Sequence, residues 1–410
     1  MKALSFLGTG KYHTVTYYWP GSQQSCQTHL FPEAVARIVQ PEKLLVLVTA
    51  QVKRHQNFQM LCERLGELVQ PVDIPEGKSV EDLWSIFECC ATVIMRGEEM
   101  VLDVTHAFRS LPLVVFTIAG FLRRTQNIEV RHIVYGAYEA REPFRDPPEP
   151  IDRAPIFDLT PLLELFDWLS GAEAFLLRSD AEILGIRLKQ THRHLWTARA
   201  GNKLPYHLQA VGAGLTRLSR AMHLSRPLEV MREAQQSLPK LESVKAEARQ
   251  WVPPFAVLLE QVRAEIEPLA HGTPERLDAD NLRKQLALIQ HFLQKNLIVQ
   301  AVTLSREWLV SWVVLHQKKR DDWLDRTFRV EVEHALGKAV KRGKGEEVRV
   351  PEWFEELPES EKVSKLWDSV AQLRNNVAHC GMSKEGAQAA EGISRRIEEI
   401  VEQLSTLPLS

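Results

Sequence analysis

A change of hydrophobic pattern near residue 158 constrains the fold of this chain more than any other feature of its sequence. Before that point, short β-rich runs alternate with stretches whose apolar residues recur at helical spacing. Strands are predicted at residues 3–7, 44–48, 72–74, 100–104 and 130–135, and helices at 31–39, 58–69, 80–95 and 111–122. This alternation predicts a Rossmann-like α/β domain, with a mostly parallel sheet and helices on both faces. Residues 154–159 are predicted to return as an edge strand.

After residue 160 only helical patterns remain, so the C-terminal half is predicted to be all-α. The first helices are expected at 162–177, 181–195, 208–222 and 243–269, with helix ends and turns at 228–241 and at Pro253-Pro254. Residues 271–274 are an expected linker. Beyond it lie helix candidates at 282–293, 297–316, 323–340, 361–378 and 386–404, and a charged, mobile loop is expected at 338–347. The predicted domains are 1–159, 160–278 and 279–410.

Composition narrows the class of protein. The 410 residues are 44% hydrophobic and 25% charged, which are ordinary globular values. A net charge of −2 excludes a globally basic nucleic-acid binder, so any RNA contact needs a local patch. The 5 cysteines form no C-x-x-C pair, which favours a reducing compartment and predicts no zinc ribbon. The apolar N-terminal run is too short for a signal peptide and no segment reaches the length of a membrane span, so a cytoplasmic protein without a membrane partner is expected.

Two polar stretches follow predicted strands, where ligands bind in open parallel sheets. The first is Gly8-Thr9-Gly10-Lys11, whose glycines would let backbone amides approach a phosphate while Lys11 adds charge. It lacks the third glycine of the dinucleotide fingerprint and the Gly-Lys-Ser/Thr of a P-loop. A plain turn is the alternative interpretation.

The second stretch contains Asp103, Thr105, His106 and Arg109, between a buried strand and an apolar helix. Free amides at the helix start favour an anion near Thr105 or His106, and Asp103 would accept hydrogen bonds from bases or order the loop. The alternative is a strand end with Asp103 as a helix cap and a solvated Arg109. Weaker candidates, argued only from their position at strand ends, are Thr49, Tyr135 and Gly136.

Near the end of the chain, Arg374-Asn375-Asn376-Val377-Ala378-His379 carries the groups needed to cleave RNA. His379 is suited to the proton transfers because imidazole titrates near neutral pH, and Arg374 to holding phosphate. Arg187…His192 and Arg329…His334 have the same spacing, but the first lies in a basic segment and the second encloses two glutamates. Residues five apart are about 140° apart around a regular helix. Arg374 and His379 therefore converge only in an irregular helix or across a dimer.

These motifs resemble those of a known family. Asp103-x-Thr105-His106-Ala107-Phe108-Arg109-x-Leu111-Pro112, after Leu7-Gly8-Thr9-Gly10, looks like the CARF domain of CRISPR-associated ancillary proteins. The Arg-x4-His with Asn375 directly after Arg374 is similar to the HEPN ribonuclease motif, and the segment around Arg306-Glu307-Trp308 looks like the first long HEPN helix. In this order the motifs resemble the CARF–HEPN ribonucleases of type III CRISPR systems over nearly the whole chain. Residues 160–278 match nothing in the resemblance.

The resemblance implies a CARF-like ligand-sensing domain at 1–159, a helical connecting region at 160–278 and a HEPN ribonuclease domain at 279–410. It implies a cyclic oligoadenylate activator, with tetra-adenylate the expected ring, and a metal-independent endoribonuclease that cuts single-stranded RNA to a 2′,3′-cyclic phosphate. The implied assembly is a homodimer or higher even oligomer. The implied catalytic residues are Arg374, Asn375 and His379. The implied ligand-binding residues are Gly8, Thr9, Gly10, Lys11, Thr49, Asp103, Thr105, His106, Arg109, Tyr135 and Gly136; no cofactor and no metal site are expected.

Other interpretations stay open from the sequence. The protein is alternatively a catalytically silent cyclic-nucleotide sensor that uses the HEPN domain for dimerisation, or a nucleotide-cofactor enzyme, which the missing third glycine disfavours. Residues 190–199 form either an RNA or interdomain patch or a solvated basic face. Arg306-Glu307 supports the active site or forms an ordinary exposed pair.

Overall fold

The computed structural model describes residues 1–106, 111–143, 151–199, 203–317, 323–382 and 389–409. The chain divides into two compact units, Met1–Phe166 and Asp167–Ser410. The first is an α/β unit and the second is helical. Arg109, one of the predicted ligand-binding residues, lies outside the described residues.

The α/β unit is built on one eight-stranded sheet with the order β3-β2-β8-β7-β6-β1-β4-β5. Five of its strand pairs are parallel, and the pairs β2–β3 and β7–β8 are antiparallel. The predicted mostly parallel sheet is confirmed. The strands are β1 (Lys2–Phe6), β2 (Val15–Tyr18), β3 (Ser25–Thr28), β4 (Lys43–Val48), β5 (Val69–Asp73), β6 (Glu99–Asp103), β7 (Glu129–Gly136) and β8 (Arg153–Asp158).

Helices cover both faces of this sheet, as predicted. Along β1, Ala3 packs into one apolar core while Leu4 and Phe6 pack into a second core on the other face. This alternation follows from the two-residue side-chain period of a strand. The helices of this unit are α1 (Phe31–Val39), α2 (Ala50–Lys53), α3 (Gln56–Leu65), α4 (Val80–Val93) and α5 (Leu111–Thr125), and α6 (Thr160–Arg178) begins in it.

One edge of the sheet differs from the prediction. β8 was expected at an edge, but it pairs with both β7 and β2 and is therefore an inner strand. The strands that cover it, β2 and β3, were not predicted. Each has four residues, too few to give a clear alternation beside the turn residues around them.

The helical unit contains the remaining helices in the described residues. Those that precede residue 279 are α7 (Glu182–Ala198), α8 (Leu208–His223), α9 (Pro227–Ser243), α10 (Lys245–Trp251) and α11 (Pro253–Ile266). Those that follow are α12 (Ala279–Gln294), α13 (Ile298–His316), α14 (Arg326–Gly343), α15 (Glu352–Glu355), α16 (Ser360–Ala378) and α17 (Ala390–Ser405). The all-α prediction for this half is confirmed.

Prolines account for two of the three errors in this half. Residues 228–241 were expected to be helix ends and turns, but α9 runs through them with Pro227 in its first turn and Pro239 inside it. The helix expected at 243–269 is broken before Pro253, which begins α11. The loop expected at 338–347 is helical as far as Gly343 because α14 buries Ala339 on its core face.

The core of the helical unit is α13. Contrary to expectation, this helix is long and apolar enough to span a membrane, but 67% of its most apolar window is buried inside the protein. The indole N–H groups of Trp308 and Trp312 donate to the carbonyls of Leu282 (2.9 Å) and Pro408 (2.8 Å). These contacts make α13 a packed core helix.

Candidate functional site

The carboxyl ends of β1, β6 and β7 meet at one edge of the sheet because the three strands are parallel neighbours. The loops that leave them enclose a cavity of about 240 Å³. Five predicted ligand-binding residues line it, namely Lys11, Thr105, His106, Tyr135 and Gly136. The other lining residues, which the sequence analysis missed, are Tyr12, His13, Tyr17, Tyr138 and Glu139. Tyr12 and His13 follow β1 and Tyr138 and Glu139 follow β7, whereas Tyr17 lies within β2.

Tyr12 and His106 form the aromatic wall of the cavity. Their rings stack with centroids 3.9 Å apart and an interplanar angle of 23°. The His106 Nε2 atom accepts a hydrogen bond from the Phe31 amide (3.3 Å), which requires a bare nitrogen. Burial, with the nearby His29, lowers the pKa of His106 to about 4. His106 is therefore neutral at pH 7 and presents a flat, uncharged ring.

Asp103 supports this wall from below. It is buried, its carboxylate accepts hydrogen bonds from the Ser5 hydroxyl and the Thr105 amide (2.8 Å), and burial raises its pKa to about 6. The Thr105 hydroxyl in turn accepts from the Gly136 amide (2.9 Å). A side chain at Gly136 would overlap Phe31, so the cavity floor requires glycine. Asp103 thus holds the segment that follows β6 and, through Thr105, the end of β7. It does not line the cavity itself.

The glycine loop after β1 makes room for Tyr12. A Cβ atom on Gly8 would lie 2.7 Å from the Tyr12 hydroxyl, and one on Gly10 would lie 3.1 Å from its ring. The carbonyls of both glycines accept hydrogen bonds from the Asn57 side chain (3.0 Å each). Thr9, between them, is exposed. These three residues lie beside the cavity and are not among its lining residues.

Thr49 lies away from the cavity wall. It is buried, and its hydroxyl accepts a hydrogen bond from the Val52 amide (3.3 Å), which caps the start of α2. This contact satisfies one of the free amides of that helix.

The rim of the cavity combines acidic and aromatic groups. Tyr135 donates its hydroxyl proton to Glu139 (2.7 Å), and burial together with this carboxylate raises the pKa of Tyr135 to about 12. Tyr138 stacks loosely with His13 (6.2 Å) and carries the Arg141 guanidinium over its ring at 4.2 Å. Lys11 is exposed at this rim. The cavity is thus walled by planar rings and has a cation at its mouth.

The second predicted site lies at the C-terminal end of α16. Arg374 and Asn375 are in its last turns, and His379 is the residue that caps it. The helix ends in a Schellman motif, in which the amides of Cys380 and Gly381 donate to the carbonyls of Val377 (3.1 Å) and Asn376 (3.0 Å). Arg374, Asn375 and His379 are all exposed.

The three arginines with equivalent spacing differ in their partners. Arg329 donates to Glu307 (2.8 Å), and Arg187 forms an ion pair with Asp167. Among the described residues, Arg374 has no carboxylate within 4.0 Å, and its recorded contact is a long hydrogen bond (3.4 Å) to the Asn375 amide oxygen. Of the three guanidinium groups, that of Arg374 is the one available to a phosphate.

Arg306 and Glu307 do not form the ordinary exposed pair that was one interpretation of them, and their support of the active site across a dimer stays a prediction. Arg306 is mostly buried, binds Glu333 through both terminal nitrogens (3.0 and 2.6 Å) and lies over the Trp367 ring at 4.8 Å. Glu307 bridges Arg306 and Arg329. The four charged groups form a partly buried network that joins α13, α14 and α16.

Comparisons with known proteins agree with the resemblance. No protein-family model matches the chain. Over 126 residues, or 30% of its length, the chain is 27% identical to the CRISPR-associated protein MJ1674 of Methanocaldococcus jannaschii. The chain spans 19% of the length of this relative. Over this segment the chain is thus similar in sequence to a CRISPR-associated protein, as the resemblance led us to expect.

A solved structure is also similar. It is Enterococcus italicus Csm6 bound to cyclic hexa-2′-fluoro-hexa-dAMP, aligned over 99% of this chain and 92% of that chain. The TM-score is 0.41 and the sequence identity is 11%. A similarity this low does not by itself establish a common fold.

Proposed function

We propose that this protein is a cyclic-oligoadenylate-activated, metal-independent endoribonuclease of type III CRISPR antiviral defence, acting in the cytoplasm. Two observations support the proposal together: an aromatic-walled cavity at the carboxyl edge of the sheet, and an Arg374 beside Asn375 and His379 that has no ion pair within the described part of the chain. The kinship with a CRISPR-associated protein is consistent with this role. The guanidinium of Arg374 is the stronger support, because the two other arginines that stand five residues before a histidine, Arg187 and Arg329, are neutralised by carboxylates.

The cavity suits part of a cyclic oligoadenylate. Adenine has a flat face that stacks on aromatic rings, and Tyr12 with neutral His106 offers such a surface. Lys11 supplies positive charge for a phosphate at the rim. A ring of identical nucleotides matches a two-fold axis, because each subunit then presents the same patch. We propose tetra-adenylate as the activating ring and a homodimer or higher even oligomer as the assembly.

The proposed reaction at the end of α16 begins at a 2′-hydroxyl of single-stranded RNA. A neutral His379 takes the proton of this hydroxyl, whose oxygen attacks the adjacent phosphorus and forms the 2′,3′-cyclic phosphate. The 5′-oxygen leaves with a proton, which a second, protonated imidazole supplies. Arg374 holds the phosphoryl oxygens, and Asn375 orients the phosphate or His379. Because Arg374 and His379 leave α16 in different directions, we propose that two copies of the chain complete the site.

We propose that residues 1–159 form the sensing domain, residues 160–278 the helical connecting region and residues 279–410 the HEPN ribonuclease domain. The activator binds the first and the RNA binds the last. Activator binding to the sensing domain then controls RNA cleavage in the HEPN domain. This control requires the activator to bind one conformation of the chain more tightly than another.

A cleavage assay tests the proposal. Labelled single-stranded RNA is incubated with the full chain, EDTA and cyclic tri-, tetra- or hexa-adenylate, and the products are analysed for 2′,3′-cyclic phosphate ends. We expect cleavage with one ring size and a loss of at least about 100-fold for His379→Ala. Activator binding without cleavage would instead identify a silent sensor. Equal cleavage by His379→Ala and the wild-type chain would exclude the proposed site.

A further inference from the structure

A second region of the helical unit has the composition of a nucleic-acid contact surface. Residues 183–228 contain no Asp or Glu but 8 Lys or Arg and 4 His, whereas the whole chain has a net charge of −2. These residues cover most of α7 and all of α8, which pack against each other. The proposed cleavage site, at the end of α16, uses none of them.

A groove of about 350 Å³ lies on this surface. It is lined by Lys189, His192, Arg193, Trp196, Thr197 and Gln209. The first four of these positions repeat at spacings of three and four, so α7 presents them on one face. No acidic residue lines the groove.

The positive charge at the groove is not neutralised by the protein. Among the described residues, no carboxylate lies within 4.0 Å of Lys189 or Arg193, and both lack an ion pair. Other arginines of the same helices are paired: Arg217 with Glu233 (2.9 Å) and Arg220 with Glu182 (3.0 Å). Among the described residues, two cations at the groove are thus left without an ion pair, whereas Arg217 and Arg220 have one.

The aromatic side chains at the groove are exposed yet held in place. Trp196 is 43% exposed, and its indole N–H donates to the Pro205 carbonyl (2.7 Å). Tyr206 is 71% exposed and meets the Trp196 ring edge-on at 5.9 Å. The Glu247 carboxylate accepts from the amides of Tyr206 and His207 (2.8 Å each), which fixes the loop. Exposed rings with ordered positions form a stacking platform that needs little reorganisation on binding.

We propose that the α7–α8 groove binds single-stranded RNA, with Trp196 stacking on a base and Lys189 and Arg193 contacting phosphates. The proposal rests on the ribonuclease function and extends its RNA-binding surface beyond the cleavage site. Flat rings interleaved with unpaired cations and no carboxylates match the faces of bases and their connecting phosphates.

The test measures RNA binding without cleavage. The probe is a fluorescent 20-nucleotide 2′-O-methyl RNA, which lacks the attacking hydroxyl, and the readout is anisotropy with the full chain. Trp196→Ala is expected to weaken binding about 10-fold. Lys189→Gln with Arg193→Gln is expected to lower the slope of log affinity against log salt by roughly 0.7 for each lost phosphate contact. Phe157→Ala and the pair Lys43→Gln with Lys53→Gln, all exposed in the α/β unit, are controls that match the loss of a ring and of charge.

The outcomes separate this proposal from the ribonuclease function. Weaker RNA binding by the groove variants alone supports the groove, even if no condition gives cleavage. Affinity and salt slope equal to those of the controls would overturn it. A changed oligomeric mass of the groove variants, with unchanged RNA binding, would assign the surface to a protein contact and also overturn it. Circular dichroism of Trp196→Ala shows whether loss of folding explains its weaker binding, and Trp196→Phe, which keeps a stacking ring, is expected to bind more tightly than Trp196→Ala.

Discussion

At the scale of a single residue, burial determines the pKa of the Asp103 carboxyl group. Both carboxylate oxygens are hydrogen-bonded, yet burial outweighs these bonds and raises the pKa from 3.8 to about 6. Protonation therefore stabilises the folded chain. This contribution is fully present below pH 3.8 and is lost as the pH rises through about 6. The shift corresponds to about 3 kcal/mol.

We predict that Asp103→Asn removes this dependence. The free energy of unfolding of the wild-type chain, minus that of the variant, should fall by about 2.4 kcal/mol between pH 4 and pH 7.5. Urea unfolding of the full chain at several pH values, followed through the transition of the α/β unit, measures it. Asp73→Asn is the control, because Asp73 is exposed and paired with Lys53 (2.8 Å). A difference that stays constant with pH would contradict the assignment.

Five of the predicted ligand-binding residues line the cavity at the sheet edge, namely Lys11, Thr105, His106, Tyr135 and Gly136. The motif residues Gly8, Gly10 and Asp103 lie beside or below the cavity and do not line it. Thr49 was chosen because it follows a strand, but the same position also begins a helix, and its hydroxyl caps that helix. Tyr12 and Tyr138 were missed because stacking between loops depends on the order of the strands in the sheet. No local sequence pattern specifies that order.

At the scale of elements, the end of α16 positions His379 through its Schellman motif. Cys380 adopts a left-handed conformation there (φ 54°), which is unfavourable for a residue with a Cβ atom, and Gly381 follows with φ 69°. We predict that Cys380→Gly stabilises the chain by up to about 1 kcal/mol, whereas Gly381→Ala destabilises it by about 1 kcal/mol. Thermal unfolding midpoints of the two variants measure these effects. Shifts of the same sign would contradict this account of the helix end.

Helices α4 and α5 carry an exposed apolar surface that suits a dimer contact. Trp84 is 63% exposed and Phe121 is 50% exposed, and both pack edge-on against Phe87 at 5.9 and 5.4 Å. Exposed aromatic clusters of this kind mark protein contacts more often than isolated apolar residues do. We predict that Trp84→Ser with Phe121→Ser halves the mass of the wild-type chain in light scattering. Trp196→Ser should leave the mass unchanged, and a monomeric wild-type chain would refute the prediction.

The long helices α13 and α16 were predicted closely, whereas the four-residue strands β2 and β3 and the helix α9 were not. α13 and α16 were predicted to within a residue at either end, because each buries a continuous stripe over 19 residues. β2 and β3 escaped prediction because four residues form only two side-chain repeats. The helix α9 was missed because Pro239 indicated a helix end. Its apolar residues nevertheless have helical spacing, and Val230, Met231 and Ala234 are buried along one face.

At the scale of the whole molecule, the proposed function separates binding from chemistry. Residues that hold the activator should change how much activator is needed, and residues that hold the RNA should change the rate. Lys11 and His379 test this separation, since one lies at the rim of the sheet cavity and the other at the end of α16. Both are exposed, so replacing either should leave folding intact.

We predict opposite outcomes for these two residues. Lys11→Gln should raise the cyclic tetra-adenylate concentration for half-maximal cleavage by about 10-fold, because a charge-assisted contact to phosphate is lost, without lowering the maximal rate. His379→Ala should bind the activator with unchanged affinity and lose cleavage. Calorimetric titration of the activator and initial cleavage rates at saturating activator measure the two quantities. Lys53→Gln, an equal change of charge elsewhere in the α/β unit, is the control for Lys11.

If Lys11→Gln lowers the maximal rate while activation midpoints stay fixed, the cavity is not the sensor. If His379→Ala shifts the activator affinity instead of the rate, the end of α16 contributes to sensing and the cleavage site lies elsewhere.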